Sequence, residues 1–152
     1  YTLPERGFFQ LSVPPGWTDQ FDPKSRSPAI GFGPSQGKPF LVTVTPEFQT
    51  GAGKPASPKE LRTEVEQMAD AIRPFAVERD IKVNEFAGAA GHGFYFFATD
   101  AAPRPGEYKF MNRGMLKVGD LLVTFTILTN EGQDAIVRAA LDMLKSATYV
   151  PR

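Results

Sequence analysis

His92, the only histidine, lies between Gly91 and Gly93 at what reads as the start of a strand. A Ser-His-Asp triad would have to run through it, yet no serine stands on a strand-to-helix elbow that could present a nucleophile. A metal centred on His92 would need carboxylates for its other protein ligands, because the chain has no cysteine. The residue reads instead as a turn histidine, exposed or capping a carbonyl. Two glycine-lysine segments suggest phosphate loops and fail. Gly33-Pro-Ser-Gln-Gly37-Lys38 has the wrong glycine spacing, with Pro39 where Ser or Thr should hold magnesium, and Gly51-Ala-Gly-Lys54 runs into Pro55. Paired carboxylates need only meet in space, and nothing nominates a pair. The chain is therefore read as no enzyme, with no catalytic residue, no metal site and no cofactor.

Binding is better provided for. Lys109, Arg113 and Lys117 alternate with Met111 and Met115, and would stand beside Thr124 and Thr126. Facing solvent, that row is a basic strip with adaptable thioethers, suited to an acidic partner or an anionic ligand. Alternatively a helix lies over the methionines, and Arg113 snorkels to an edge or pairs with a helix glutamate. Asn112 interrupts the opposite, apolar row, and is expected to bond backbone at a sheet edge or else to face a pocket. Trp17, the only tryptophan, is either a core plug beneath the Pro14-Pro15-Gly16 turn or a ring that stacks on a ligand or anchors a partner.

The elements that must position these residues centre on 107–130, which read as a long hairpin turning at Gly119-Asp120, a pair suited to a type II′ turn. A two-residue turn fixes the register. Val118 faces Leu121, Leu116 faces Val123, Gly114 faces Phe125 and Asn112 faces Ile127, with Phe125 lying over the gap at Gly114. Upstream, residues 8–13, 29–33 and 40–45 read as strands, the first with Phe9, Leu11 and Val13 on the core side. Residues 19–28 read as turn-rich and 46–57 as a connector. Ser57, Pro58 and Glu60 form a capping box that starts a helix with Leu61, Val65, Met68 and Ile72 as its stripe, ending near Arg73 before Pro74. Residues 81–86 form a strand. Residues 93–99 form another, apolar on both sides and so expected to be central and covered on both faces. Asn130 is expected to cap a last helix, with Gln133 at N3 and a buried face of Ile136, Val137, Ala140, Leu141 and Leu144.

The pattern predicts a single α+β domain over 1–152: an antiparallel β-sheet of about seven strands covered by helices. Seventeen basic residues balance seventeen acidic ones, which disfavours nucleic acid, and 41% apolar content indicates a globular chain. No apolar run approaches the length of about 20 residues that spans a bilayer. The chain opens at Tyr1 without methionine, so a removed leader and a periplasmic or extracellular location are expected, the cytoplasm not being excluded.

Phe9-x-Leu-x-Val-Pro-Pro-Gly-Trp17, the Ser-Pro-capped helix, Gly91-x-Gly-Phe-Tyr-Phe96, the long hairpin and the closing Ala140-x-x-Met-Leu-x-Ser146 together resemble the PsbP-like family over nearly the whole chain. Its fold is shared by a Ran-binding nuclear import factor and by bacterial envelope proteins of the DcrB type. The resemblance implies an α/β/α sandwich and members that bind protein partners or act as accessory subunits, with no catalytic motif to transfer. The chain lacks the histidine constellation expected of a metal role in the photosynthetic branch. The expected function is a non-enzymatic cell-envelope accessory domain that binds a protein partner through the sheet or the loops around Trp17 and residues 46–57. The alternative is a carrier of a small apolar or anionic ligand in a pocket between sheet and helix. Exposed edge strands could also pair two copies as a homodimer.

Overall fold

The computed structural model describes residues 1–25, 27–49 and 56–152. The order is β1 (Thr2–Leu3), β2 (Gly7–Gln10), β3 (Trp17–Phe21), β4 (Ile30–Pro34), β5 (Leu41–Phe48), α1 (Pro58–Ile72), β6 (Val83–Gly88), β7 (Gly91–Thr99), β8 (Phe110–Val118), β9 (Leu121–Thr129), α2 (Asp134–Lys145) and β10 (Thr148–Pro151). Seven strands form one antiparallel sheet in the order β3-β4-β5-β9-β8-β7-β6, and β1-β2-β10 form a second. The fold is α+β, as the pattern predicts.

The hairpin of β8 and β9 is the axis of the large sheet. Val118 pairs with Leu121, Leu116 with Val123, Gly114 with Phe125 and Asn112 with Ile127. Gly119 takes φ 59°, the positive first position that a type II′ turn demands of glycine. Gly114 answers to a different neighbour from the expected one: a Cβ there would lie 2.0 Å from the carbonyl oxygen of Phe94. The glycine admits the backbone of β7. Phe125, fully buried, packs edge-on to Phe86 with centroids 5.9 Å apart.

Period-two alternation divides the residues between two faces. One face carries Val42, Val44, Leu116, Val118, Val123, Phe125 and Ile127, and buries them against Phe9 of the small sheet and Ala140, Met143 and Leu144 of α2. The other carries Phe94, Phe96, Ala98 and Met115, covered by Leu61, Val65 and Ala69 of α1. Each large apolar side chain so buried contributes about 1.5–3 kcal/mol. The capping box is present in full: the Ser57 hydroxyl accepts from the Glu60 N–H at 3.2 Å, and the Glu60 carboxylate accepts from the Ser57 N–H at 3.0 Å.

Several expectations are corrected. Residues 17–21 are an edge strand paired with β4 rather than part of a turn-rich run. The first strand stops at Gln10, so Val13 is 37% exposed instead of in the core. Residues 46–48 extend β5, Ser57 caps α1, and 50–55, with the Gly51–Lys54 loop, lie outside the described residues. The strand containing 93–99 is second from the sheet edge, and Phe97 is 41% exposed because α1 covers only the opposite side. Asn130 is not a helix cap. Its side-chain oxygen accepts the Lys109 N–H at 3.0 Å, and α2 begins only at Asp134. The buried Gln133 instead closes the turn, accepting from the Asn130 N–H at 2.7 Å and donating to the Pro39 carbonyl at 3.1 Å.

Candidate functional site

The α1 face of the sheet holds most of what could bind. α1 lies over β7 and the near side of β8, burying Met115 to 5% exposure and half-burying Met111. The helix therefore covers the methionines, as one of the two sequence readings has it. Beyond β8 the same face stays partly open among the described residues. Leu122, Thr124, Thr126 and Leu128 of β9 are half-buried, and so are Thr43 and Thr45 of β5. Thr126 pairs with Thr43, and Thr124 with Thr45, so four hydroxyl-bearing residues stand on adjacent strands.

Arg113 sits at the boundary between the covered and open halves, flanked by Phe96 of β7 and Thr126 of β9. It is half-buried, and its Nε is inaccessible to solvent with no hydrogen-bond partner. No carboxylate of the described residues makes an ion pair with it.

A cleft of about 360 Å³ opens where α1 ends, lined by Ile72, Phe75, Ala98, Phe110, Met111 and Leu128 together with Thr99, Asp100, Tyr108 and Lys109. Its floor is a cross-strand row, Ala98–Met111–Leu128. Pro74 converts the helix end into a short 3₁₀ turn over Arg73–Phe75, because proline cannot donate the bond that would continue an α-helix. That turn leaves Phe75 70% exposed. The segment after it is fastened to the end of β7. The Val77 N–H donates to the Thr99 carbonyl at 2.9 Å, and Glu78 accepts from the Thr99 N–H at 2.8 Å and hydroxyl at 2.6 Å. Burial works to raise the Glu78 pKa, but the Thr99 bonds outweigh it and hold the carboxyl below its usual range.

The other residues singled out in the sequence are dispersed. Lys117 is half-buried on the same face, at the far end of β8 from the cleft. Lys109 precedes β8, and its ammonium donates to Glu131 while standing 5.2 Å over the Phe110 ring. Asn112 is on the opposite face, 4% exposed between Phe97 and Ile127. It is not at a sheet edge, since β8 is paired on both sides. Trp17 packs against the core with its ring centroid 4.8 Å from that of Phe40. His92 lies on β7 with Nδ1 3.4 Å from a Glu85 carboxylate oxygen. Among the described residues no three His, Cys, Asp or Glu side chains cluster as metal ligands, and no helix is long and apolar enough to cross a membrane.

No protein-family model matches the chain, and no curated protein matches it. The fold is similar to that of LpqN of Mycobacterium tuberculosis, a protein described as involved in cell envelope biogenesis. The TM-score is 0.63 at 14% identity, over 97% of this chain and 86% of that one. It is also similar to a protein from Bacteroides thetaiotaomicron, with TM-score 0.52 at 10% identity over 93% of this chain and 45% of that one. This chain thus spans a little under half the length of the second.

Proposed function

We propose that the chain is a non-enzymatic accessory domain of the cell envelope that binds a protein partner at the cleft and open sheet face beside α1. The observation that carries this reading is Phe75, 70% exposed at the mouth of an apolar cleft. An exposed aromatic beside a pocket is the usual form of an interface anchor. The shared fold with LpqN, the resemblance of the sequence to PsbP-like proteins and the absence of a nominated catalytic set support it. The edge strands of the large sheet expose polar residues, Thr18, Asp19 and Gln20 on β3 and Asn84 and Glu85 on β6. Polar edges disfavour pairing of two copies, so the partner is read as a different protein. A tagged chain expressed in its source cells should retain a stoichiometric partner that Phe75→Asp loses and Trp17→Ala keeps. Equal retention by the Phe75 variant would overturn the reading.

The cleft itself favours a second reading, a carrier of a small ligand. Its volume falls within the range of about 300–1,000 Å³ typical of small-molecule sites. Native mass spectrometry of protein from its source should then show a bound mass, and a clean unliganded mass would count against it.

A further inference from the structure

We propose that Arg113 and the cleft at the end of α1 form one site for a small amphiphilic oxyanion, an alkyl carboxylate or alkyl phosphate. The alkyl chain lies on Met111 and Leu128, and the charged head lies on the guanidinium. This rests on the ligand-carrying reading and gives its ligand a chemical class.

The guanidinium carries five N–H donors in a planar fork. Among the described residues the buried Nε finds no acceptor, and no carboxylate makes an ion pair with the guanidinium. Two arginines on α1 and at its end do have carboxylate partners, Arg62 donating to Glu66 at 3.2 Å and Arg73 reaching Asp70 at 2.9 Å. A half-buried charge without a counter-charge is costly, and an unsatisfied buried donor in a native fold commonly marks a missing ion or water. The stretches outside the described residues, position 26 and positions 50–55, contain no Asp or Glu that could supply the counter-charge.

The surroundings specify what kind of group the guanidinium is built to take. Thr126 stands directly across from Arg113, with Thr43 beyond it on β5. Hydroxyl donors beside a guanidinium fork suit a carboxylate or phosphate, which accepts from several donors at once. The row that floors the cleft, Ala98–Met111–Leu128, is two residues along the strands from the row Phe96–Arg113–Thr126. That spacing is about 7 Å, within the reach of one small molecule. A purely polar anion would leave the apolar floor bare, and a purely apolar ligand would leave the guanidinium unpaired.

Calorimetric titration of the full chain with octanoate, octyl phosphate, octanol and acetate, each below its micellar concentration, tests this. Octanoate or octyl phosphate should bind at least about tenfold tighter than octanol. Both should bind far more tightly than acetate, affinity rising up to about fourfold for each methylene buried. The tighter of the two anions identifies the head group. Arg113→Met keeps the apolar stem and should erase the preference for octanoate over octanol while leaving octanol binding in place. Should that variant fail to fold, the ranking of ligands on the unaltered chain decides alone. Equal binding of octanol and octanoate would overturn the anion site and leave the carrier reading standing. Acetate binding as tightly as octanoate would remove the cleft from the site and overturn the proposal. Failure of all four to bind would overturn it together with the carrier reading.

Discussion

Gly114→Ala is the sharpest test of the sheet that supports the site. The added Cβ would lie 2.0 Å from the Phe94 carbonyl oxygen and 2.7 Å from the Tyr95 Cα. Both are backbone atoms, so no rotamer change relieves the contact. β7 and β8 would have to part where Tyr95 pairs with Gly114, loosening two ladder bonds worth about 0.5–1.5 kcal/mol each. Overpacking adds about 1–3 kcal/mol, for a loss of about 2–6 kcal/mol. In a domain of this size each kcal/mol lowers Tm by about 2–4 °C. Gly31 is the internal control, since it lies within β4 and a Cβ there meets nothing within 4 Å. Gly31→Ala should stay within about 0.5 kcal/mol of the unaltered chain. Urea unfolding of both variants, compared at equal m-value, measures the difference. Two variants agreeing to within about 1 kcal/mol would refute the close approach of β7 and β8 as the reason for glycine.

The remaining predictions concern α1, the cleft margin and the turn before α2. Ser57→Ala removes half of the capping box and should cost about 1 kcal/mol in urea unfolding; an unchanged midpoint would deny the cap its role. The lowered pKa of Glu78 means that its contribution to stability is present above the ordinary carboxylate value, about 4.3. It is lost as pH falls through the lower folded value. Glu78→Gln should therefore flatten the acid side of the stability–pH curve, and an identical acid side would refute the bonds from Thr99. Gln133→Ala leaves the Pro39 carbonyl and the Asn130 N–H without their partner, and should cost about 1–3 kcal/mol by chemical unfolding.

The hairpin could be read residue by residue because a two-residue turn leaves one register, and α1 could be read because its cap and stripe agree. β3 was hidden by its own chemistry. In Trp-Thr-Asp-Gln-Phe the alternating pattern has polar residues at its centre, which an edge strand tolerates and a core strand does not. Asn130 fits a helix cap by spacing alone, and only the position of Lys109, brought beside it by β8, shows where its oxygen goes. The site was legible in part. Arg113 stands out within its row, but its burial depends on how far α1 reaches across the sheet, which no local pattern encodes. The cleft is drawn from residues near 72–76, 98–100, 108–111 and 128. Nothing in the sequence brings Phe75 to Leu128 until the register of three strands and the end of a helix are known together.

The pairing of β2 with β10 has a consequence for the order in which the molecule folds. Gln10 meets Thr148 across 138 residues, whereas β8 and β9 meet across a tight turn. Loop-closure entropy grows by about 0.6 kcal/mol for every doubling of the loop, so β2 and β10 gain little from meeting before the large sheet has drawn them together. Until they do, Phe9 is missing from the core that it shares with Ile30, Phe32 and Val42. A sheet formed ahead of that pairing would have only α2 over this face, and incompletely covered apolar surface is what makes partly folded chains prone to self-association at high concentration. Closing the small sheet completes the cover, giving three short strands a kinetic weight out of proportion to their length.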